Sequence, residues 1–227
     1  MTKFAWVPVA LLLAGCSMEI PGDSRTEKHS VDLDGSAKST RINLDMSAGE
    51  LRVASGASGL MEGEFTYNVE RFKPVIERSP GELRISQADT KGFGVGVESR
   101  WDLRLSNSTL LDVYAKLGAG EAELVLGELS LRDLQVGIGA GEVHVDLRGA
   151  PKQSYGVRIE GGVGETVVYL PRSVGISATA AGGLGSISVN GLEKRGERWI
   201  NAGHESDAVQ ITVDVKGGIG EIRLTAE

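Results

Sequence analysis

The chain is predicted to be all-β: a single-array, solenoid-like stack of glycine-cornered strand arches that carries an antiparallel insertion. Three observations predict it. One glycine-centred phrase recurs six times, apolar and polar residues alternate with period two through the copies, and no stretch carries the apolar spacing of an amphipathic helix. Glycine supplies 32 of 227 residues, twice the usual ~7%, without the every-third spacing of collagen. The glycines therefore mark turns and corners.

The copies are INLDMSAGELRVAS, VYAKLGAGEAELVL, LQVGIGAGEVHVDL, VRIEGGVGETVVYL, ATAAGGLGSISVNG and VDVKGGIGEIRLTA, aligned on Gly49, Gly120, Gly141, Gly164, Gly185 and Gly220. The intervals are 71, 21, 23, 21 and 35 residues, so the middle four copies form a regular array with the period of one solenoid rung. Seven residues before the aligned glycine stand Ile42, Val113, Leu134, Val157, Ala178 and Val213; five before it stand Leu44, Ala115, Val136, Ile159, Ala180 and Val215; four after it stand Val53, Leu124, Val145, Val168, Val189 and Leu224. All are apolar. The columns between them, Asn43, Tyr114, Gln135, Arg158, Thr179 and Asp214, then Arg52, Glu123, His144, Val167, Ser188 and Arg223, are expected to face water. Each copy reads as two short strands meeting at a sharp corner, where glycine is needed because the chain takes φ > 0. One arch cannot close a core, but a stack buries continuous apolar columns.

The period lapses between residues 55 and 112. That interval holds MEGEFTYNVERF, a Pro80-Gly81 turn followed by ELRIS, a loose glycine stretch from Gly92 to Gly96, and WDLRL. It reads as an antiparallel insertion with a hairpin at Pro80-Gly81. The longer interval before the sixth copy, with EKRGERWINAGHESD, reads as a second excursion and a hairpin through Trp199.

Residues 1–16, MTKFAWVPVALLLAGC, place a basic residue before an apolar run of twelve. Twelve residues are too few to span a ~30 Å hydrocarbon core. The expectation is a secretion signal over residues 1–15, ending in the lipobox-like Leu13-Ala14-Gly15-Cys16, with Cys16 taking the lipid (palmitate among its acyl chains). Ser17 resembles the outer-membrane-sorted class if the cell has two membranes. Residues 16–38 are polar, lack an apolar period and read as the lipidated cysteine with a flexible tether. Residues 39–150 and 151–227 then form an N-terminal β region and its continuing repeats.

The phrases SAGELRVASGASGLMEGEFTYN, ELRIS, WDLRL and LLDVYAKLGAGEAELVLGELSLRDLQVGIGAGEVHVDL resemble the toast-rack domain family of bacterial envelope proteins. The glycine-cornered C-terminal part is similar to relatives grouped as cell-wall-active antibiotic response proteins and adhesins. The resemblance is close over residues 40–150 and continues as a repeat over 151–227. It implies an all-β stack of arches, no enzyme, no cofactor and no catalytic motif. The lipid anchor departs from the membrane-spanning response regulators of the group.

Composition narrows the chemistry further. With 24 Lys+Arg against 31 Asp+Glu the net charge is −7, against nucleic-acid binding driven by bulk charge. One cysteine excludes an internal disulfide, and His29, His144 and His204 lack metal-ligand spacing. Gly137-Ile138-Gly139-Ala140-Gly141 resembles a dinucleotide loop, but Glu142 stands where its third glycine belongs and no crossover helix follows. Gly22-Asp23-Ser24 and Asp32-Leu33-Asp34-Gly35 lack the partners of a nucleophile block and a calcium loop. The column Glu50, Glu121, Glu142, Glu165, Ser186 and Glu221 has more content. Stacked in register, these carboxylates lie about 5 Å apart and repel by roughly 0.8 kcal/mol per pair even in water. Backbone donors at a neighbouring corner, or solvent, are expected to offset that. A divalent cation between rungs and a glycosidase-type carboxylate pair are the alternatives. Trp101, Trp199, Tyr114 and Tyr169 make a sugar-stacking platform only if two or three converge.

The expected role is a lipid-anchored, non-catalytic binding, adhesion or scaffold module of the cell envelope. Its partners are the membrane and an envelope protein or glycan, with no nucleic acid and no cofactor. A polysaccharide-acting enzyme on the same fold is the alternative.

Overall fold

The structure, a computed structural model, describes residues 21–35, 37–87 and 96–227. Cys16 and the signal lie outside the described residues, as does most of the Gly92 to Gly96 stretch. The strands in chain order are β1 (Arg25–Val31), β2 (Ser39–Ser55), β3 (Met61–Tyr67), β4 (Pro74–Ser79), β5 (Glu82–Gln87), β6 (Ser99–Leu105), β7 (Leu110–Val125), β8 (Leu131–Asp146), β9 (Tyr155–Leu170), β10 (Gly175–Asn190), β11 (Glu193–Arg195), β12 (Arg198–Ile200) and β13 (Gln210–Ala226). They make one 13-stranded sheet whose order is β1-β3-β6-β2-β7-β8-β9-β13-β10-β12-β11, with the β4-β5 hairpin joined to β2 through β5.

The six copies of the phrase are β2, β7, β8, β9, β10 and β13. Each is a single strand of 16 or 17 residues running through the corner, where two short strands were expected. All six pair in parallel and in register, glycine against glycine. In a flat strand, residues on one face keep the same parity. Here buried residues stand at odd offsets before the glycine (Ile42, Leu44, Met46) and at even offsets after it (Leu51, Val53). The glycine reverses the facing of the chain, so both arms lay their apolar side against one core.

Three expectations need correction. The tether is not free of structure, because β1 pairs antiparallel with β3 from Arg25↔Tyr67 to Val31↔Met61. Its sequence RTEKHSV hides the strand, since an edge strand lying outside the core has no apolar face to show. The rungs also do not stack in chain order: β13, the sixth copy, lies between β9 and β10. Val213 and Val215 of β13 are fully buried, whereas β10 offers only Ala178 and Ala180 opposite them, and Ile187 opposite the buried Ile222 is 41% exposed. The more apolar strand takes the interior place, with neighbours on both sides. Finally Val167, in a column expected to face water, is 1% exposed. Its cross-strand neighbours His144 and Arg223 flank it and cover it.

The insertion closes the first end of the rack. β5 continues the sheet beside the first arm of β2 and β6 beside its second arm, so two strands share the work of one rung. The gap at the corner is bridged by the buried Gln87, whose Oε1 accepts from the amides of Ser47 (2.8 Å) and Ala48 (3.4 Å) and whose Nε2 donates to Ser99 Oγ (2.6 Å). The hairpin at Pro80-Gly81 is present, with Gly81 at φ 74. Phe65 and Trp101 meet edge to face at 5.7 Å beneath this end. At the far end β11 and β12 form the hairpin through Trp199, and its strand pairing with β10 is limited to Ser177 and Ala178.

Candidate functional site

The corner is the most repeated feature of the chain, and its geometry follows from strand spacing. Gly49, Gly120, Gly141, Gly164, Gly185 and Gly220 take φ between 130 and 141, a region closed to residues with a Cβ. A second constraint comes from the stack. A Cβ on Gly141 would sit 1.8 Å from the carbonyl oxygen of Gly120, and one on Gly220 would sit 1.8 Å from that of Gly164. Each rung therefore imposes glycine on the next, through contact as well as through φ.

Beside the corner the glutamates stand in one line across the sheet, in the order Glu50, Glu121, Glu142, Glu165, Glu221, closed by Ser186. The repulsion expected between them is relieved by guanidinium groups. Arg100 donates to Glu50 from Nε at 2.8 Å and from Nη2 at 3.4 Å, and this hydrogen bonding holds the Glu50 carboxyl below the ordinary carboxylate range. At the other end Arg223 reaches Glu165 at 3.0 Å and Glu221 at 2.9 Å. Backbone donors or solvent were expected here; among the described residues no backbone donor reaches Glu121, Glu142 or Glu165, and solvent takes that part for two of them. Glu121 and Glu142 extend into solvent. Among the described residues no group of three or more His, Cys, Asp or Glu is arranged to hold a metal.

The remaining candidates do not converge. Trp101 is in the core, Tyr114 lies under Arg41, Tyr169 under Arg148 and Trp199 under Lys194. The histidines pair locally, His29 with Glu27 at 3.3 Å, His144 with Glu142 at 3.8 Å and His204 with Asp207 at 2.7 Å. What sequence reading missed is a groove of about 750 Å³ on the outer face of the first arms, across β2, β7, β8 and β9. Gly137 opens it, because that position lies between Lys116 and Glu160 in the register and nothing stands within 4 Å of where its Cβ would be. Tyr114, Gln135 and Arg158 line one row, with Asp45, Lys116 and Glu160 beside them and Arg84 at the end. Lys116 and Arg158 make no ion pair within 4 Å among the described residues, and Arg84 is held by Asp45. The lining carries Arg84, Lys116 and Arg158 against Asp45 and Glu160, one net positive charge on a chain of net −7. The signal for this groove in the sequence was a glycine between Lys116 and Glu160 in a column that is charged in four of its six copies.

A solved structure of a proposed cell adhesion protein from Clostridium sporogenes is 32% identical, aligning over 90% of this chain and 100% of its own with a TM-score of 0.86. A proposed adhesin from Bacteroides fragilis aligns over 89% of this chain and 97% of its own at 10% identity, with a TM-score of 0.34. No curated protein matches the sequence. The antiparallel cap and the first four glycine corners, Gly49, Gly120, Gly141 and Gly164, fall within residues 20–169, which match the family described as the N-terminal domain of toast_rack, DUF2154, and the chain belongs to that family.

Proposed function

We propose that this protein is a cell-envelope lipoprotein, anchored through Cys16, that acts as a non-catalytic binding, adhesion or scaffold module. The observation that carries the reading is the outer groove. It joins an aromatic ring, an amide and unpaired cations on a rigid sheet, without the paired carboxylates in a cleft that glycoside cleavage needs. Such a lining suits hydroxyl-rich or anionic envelope polymers, which stack on a tyrosine ring and accept from arginine and lysine. The relationship to the proposed cell adhesion protein of Clostridium sporogenes supports the same class of role.

Two experiments test it. Cys16→Ala should leave unprocessed precursor or release the protein from membranes; a variant processed and retained like wild type would remove the anchor. The soluble chain beginning at Ser17, applied to a glycan array and to envelope fractions, should be retained, and Arg158→Glu should lose that retention while melting like the parent. Cleavage of a polysaccharide by the same sample would favour the enzyme instead.

A further inference from the structure

The two ends of the sheet are finished differently. The edge strand β1 carries Arg25, Glu27, Lys28 and His29, the charged side chains that discourage further strand pairing. At the other end β12 pairs with β10 only at Ser177 and Ala178, so from Thr179 to Asn190 the outer edge of β10 has no partner among the described strands. This edge has none of the usual protection. Residues 173–192 contain no charged side chain and no proline, and the free part of the strand is largely exposed, with Leu184 at 71% and Ile187 at 41%. An unpaired, uncharged strand edge, here in two arms either side of Gly185, is a template for another strand.

The second arm of this edge says which strand. Ser186-Ile187-Ser188-Val189-Asn190 alternates polar and apolar residues symmetrically about Ser188. Ile187 and Val189 stand at the columns that line the core in the other rungs, and Ser186 and Ser188 on the opposite face. If two such arms pair antiparallel about a two-fold axis through Ser188, Ile187 of each copy comes opposite Val189 of the other, on the core side, and Ser186 comes opposite Asn190. Apolar meets apolar and polar meets polar, with the faces of both sheets aligned. In a chain of net −7 this is also a surface where two copies meet without charge repulsion.

We propose that a second copy of this chain docks here, the two β10 edges pairing antiparallel about Ser188 to continue the sheet from one copy into the other. The contact is the same patch on both copies, so it closes at two and does not grow into a fibre. It stands independently of the membrane anchor and of the groove.

The test uses the soluble chain beginning at Ser17, which keeps every described residue and every strand of the rack. Sedimentation across a concentration series should show a reversible monomer–dimer equilibrium. Ser188→Glu places the new carboxylate beside Arg223 in the same copy, which the fold tolerates, but opposite its own image across the axis. It should raise the dissociation constant by up to roughly fivefold, the scale of like charges placed directly opposite, with no loss of melting temperature. Ser188→Lys should weaken the dimer likewise, at some cost in melting temperature because its ammonium lies beside Arg223 in the same copy, and an equimolar mixture of the two variants should restore dimers. A chain that stays monomeric at every concentration overturns the proposal. So does a dimer indifferent to both substitutions, or one that mixing does not restore.

Discussion

The two ends of the rack are built from one repeated phrase and packed in opposite ways. Inside the corner, three residues before the aligned glycine, the first rungs place Met46, Leu117 and Ile138 against Leu51, Ala122 and Val143. The last rungs place Gly161, Gly217 and Gly182 there, against Thr166, Ile222 and Ile187, and a cavity of about 50 Å³ remains. On the outer side of the corner the order reverses. The residue before the glycine is Ala48, Ala119 and Ala140 in the first rungs, then Val163, Ile219 and Leu184, which are 53%, 52% and 71% exposed. The apolar bulk has moved from inside the corner to outside it. The backbone needs only the glycines, which both ends keep, so packing is free to vary along the stack. The lesson is that this fold separates what sets its shape from what stabilises it.

The sharpest way to break that separation is to attack the shape. Gly141→Val puts a β-branched side chain at φ 130 and a Cβ 1.8 Å from a backbone carbonyl. We expect a loss of more than about 5 kcal/mol, the range reserved for severe steric and strain defects, measured by denaturant unfolding. Ala140→Ser, one residue away and exposed, should be nearly silent. Attacking the stabilising end should cost less: Trp101→Ala removes a side chain 1% exposed and packed on Phe65, for about 3–5 kcal/mol.

Acid should loosen the capped end. The hydroxyl of Tyr67 donates to Glu27 at 2.6 Å, Lys73 lies at 3.0 Å and His29 at 3.3 Å, and these contacts lower the Glu27 pKa from 4.5 to about 2. Because the folded value lies below the unfolded one, the contribution is present above pH 4.5 and is lost as pH falls toward about 2. Glu27→Gln should flatten that part of the acid-unfolding profile. The smallest effect is expected at the loosely packed corner. Gly182→Ala meets only the tips of Ile187 and Ile222, at 3.7 to 3.8 Å, whereas Gly183→Ala would meet the Gly218 carbonyl at 2.5 Å. The first should be neutral or stabilise by up to about 1 kcal/mol. The second should destabilise, and equal melting points for the pair would show that carbonyl contact does not police the glycines.

Much of this was legible in the sequence because burial leaves period-two columns. Ile42, Val113, Leu134, Val157 and Val213 gave away the inner face, and the turn residues Pro80-Gly81 marked their hairpin. What was hidden had no apolar signature. β1 is an edge strand with charges along it, and Gln87 closes the first corner with a side chain where later rungs use backbone. The insertion of β13 between β9 and β10 was hidden for another reason. In-register copies are interchangeable by pattern, and only the relative apolarity of Val213 and Val215 against Ala178 and Ala180 separates an inner strand from an end strand. The outer groove depended on one residue, Gly137, whose meaning comes from its neighbours on other strands.

The central claim is that stability declines along the stack while geometry does not. Amide hydrogen exchange tests it most directly, measured on Ser188→Glu so that the β10 edge is uncovered. The amides of β7 and β8, flanked on both sides and lined by Leu117, Leu124, Leu134 and Val145, should exchange slowest, near the global unfolding limit. Residues 181–190 of β10 should exchange much faster, through local opening of the last rung. Protection in that arm equal to that of β8 would contradict the account.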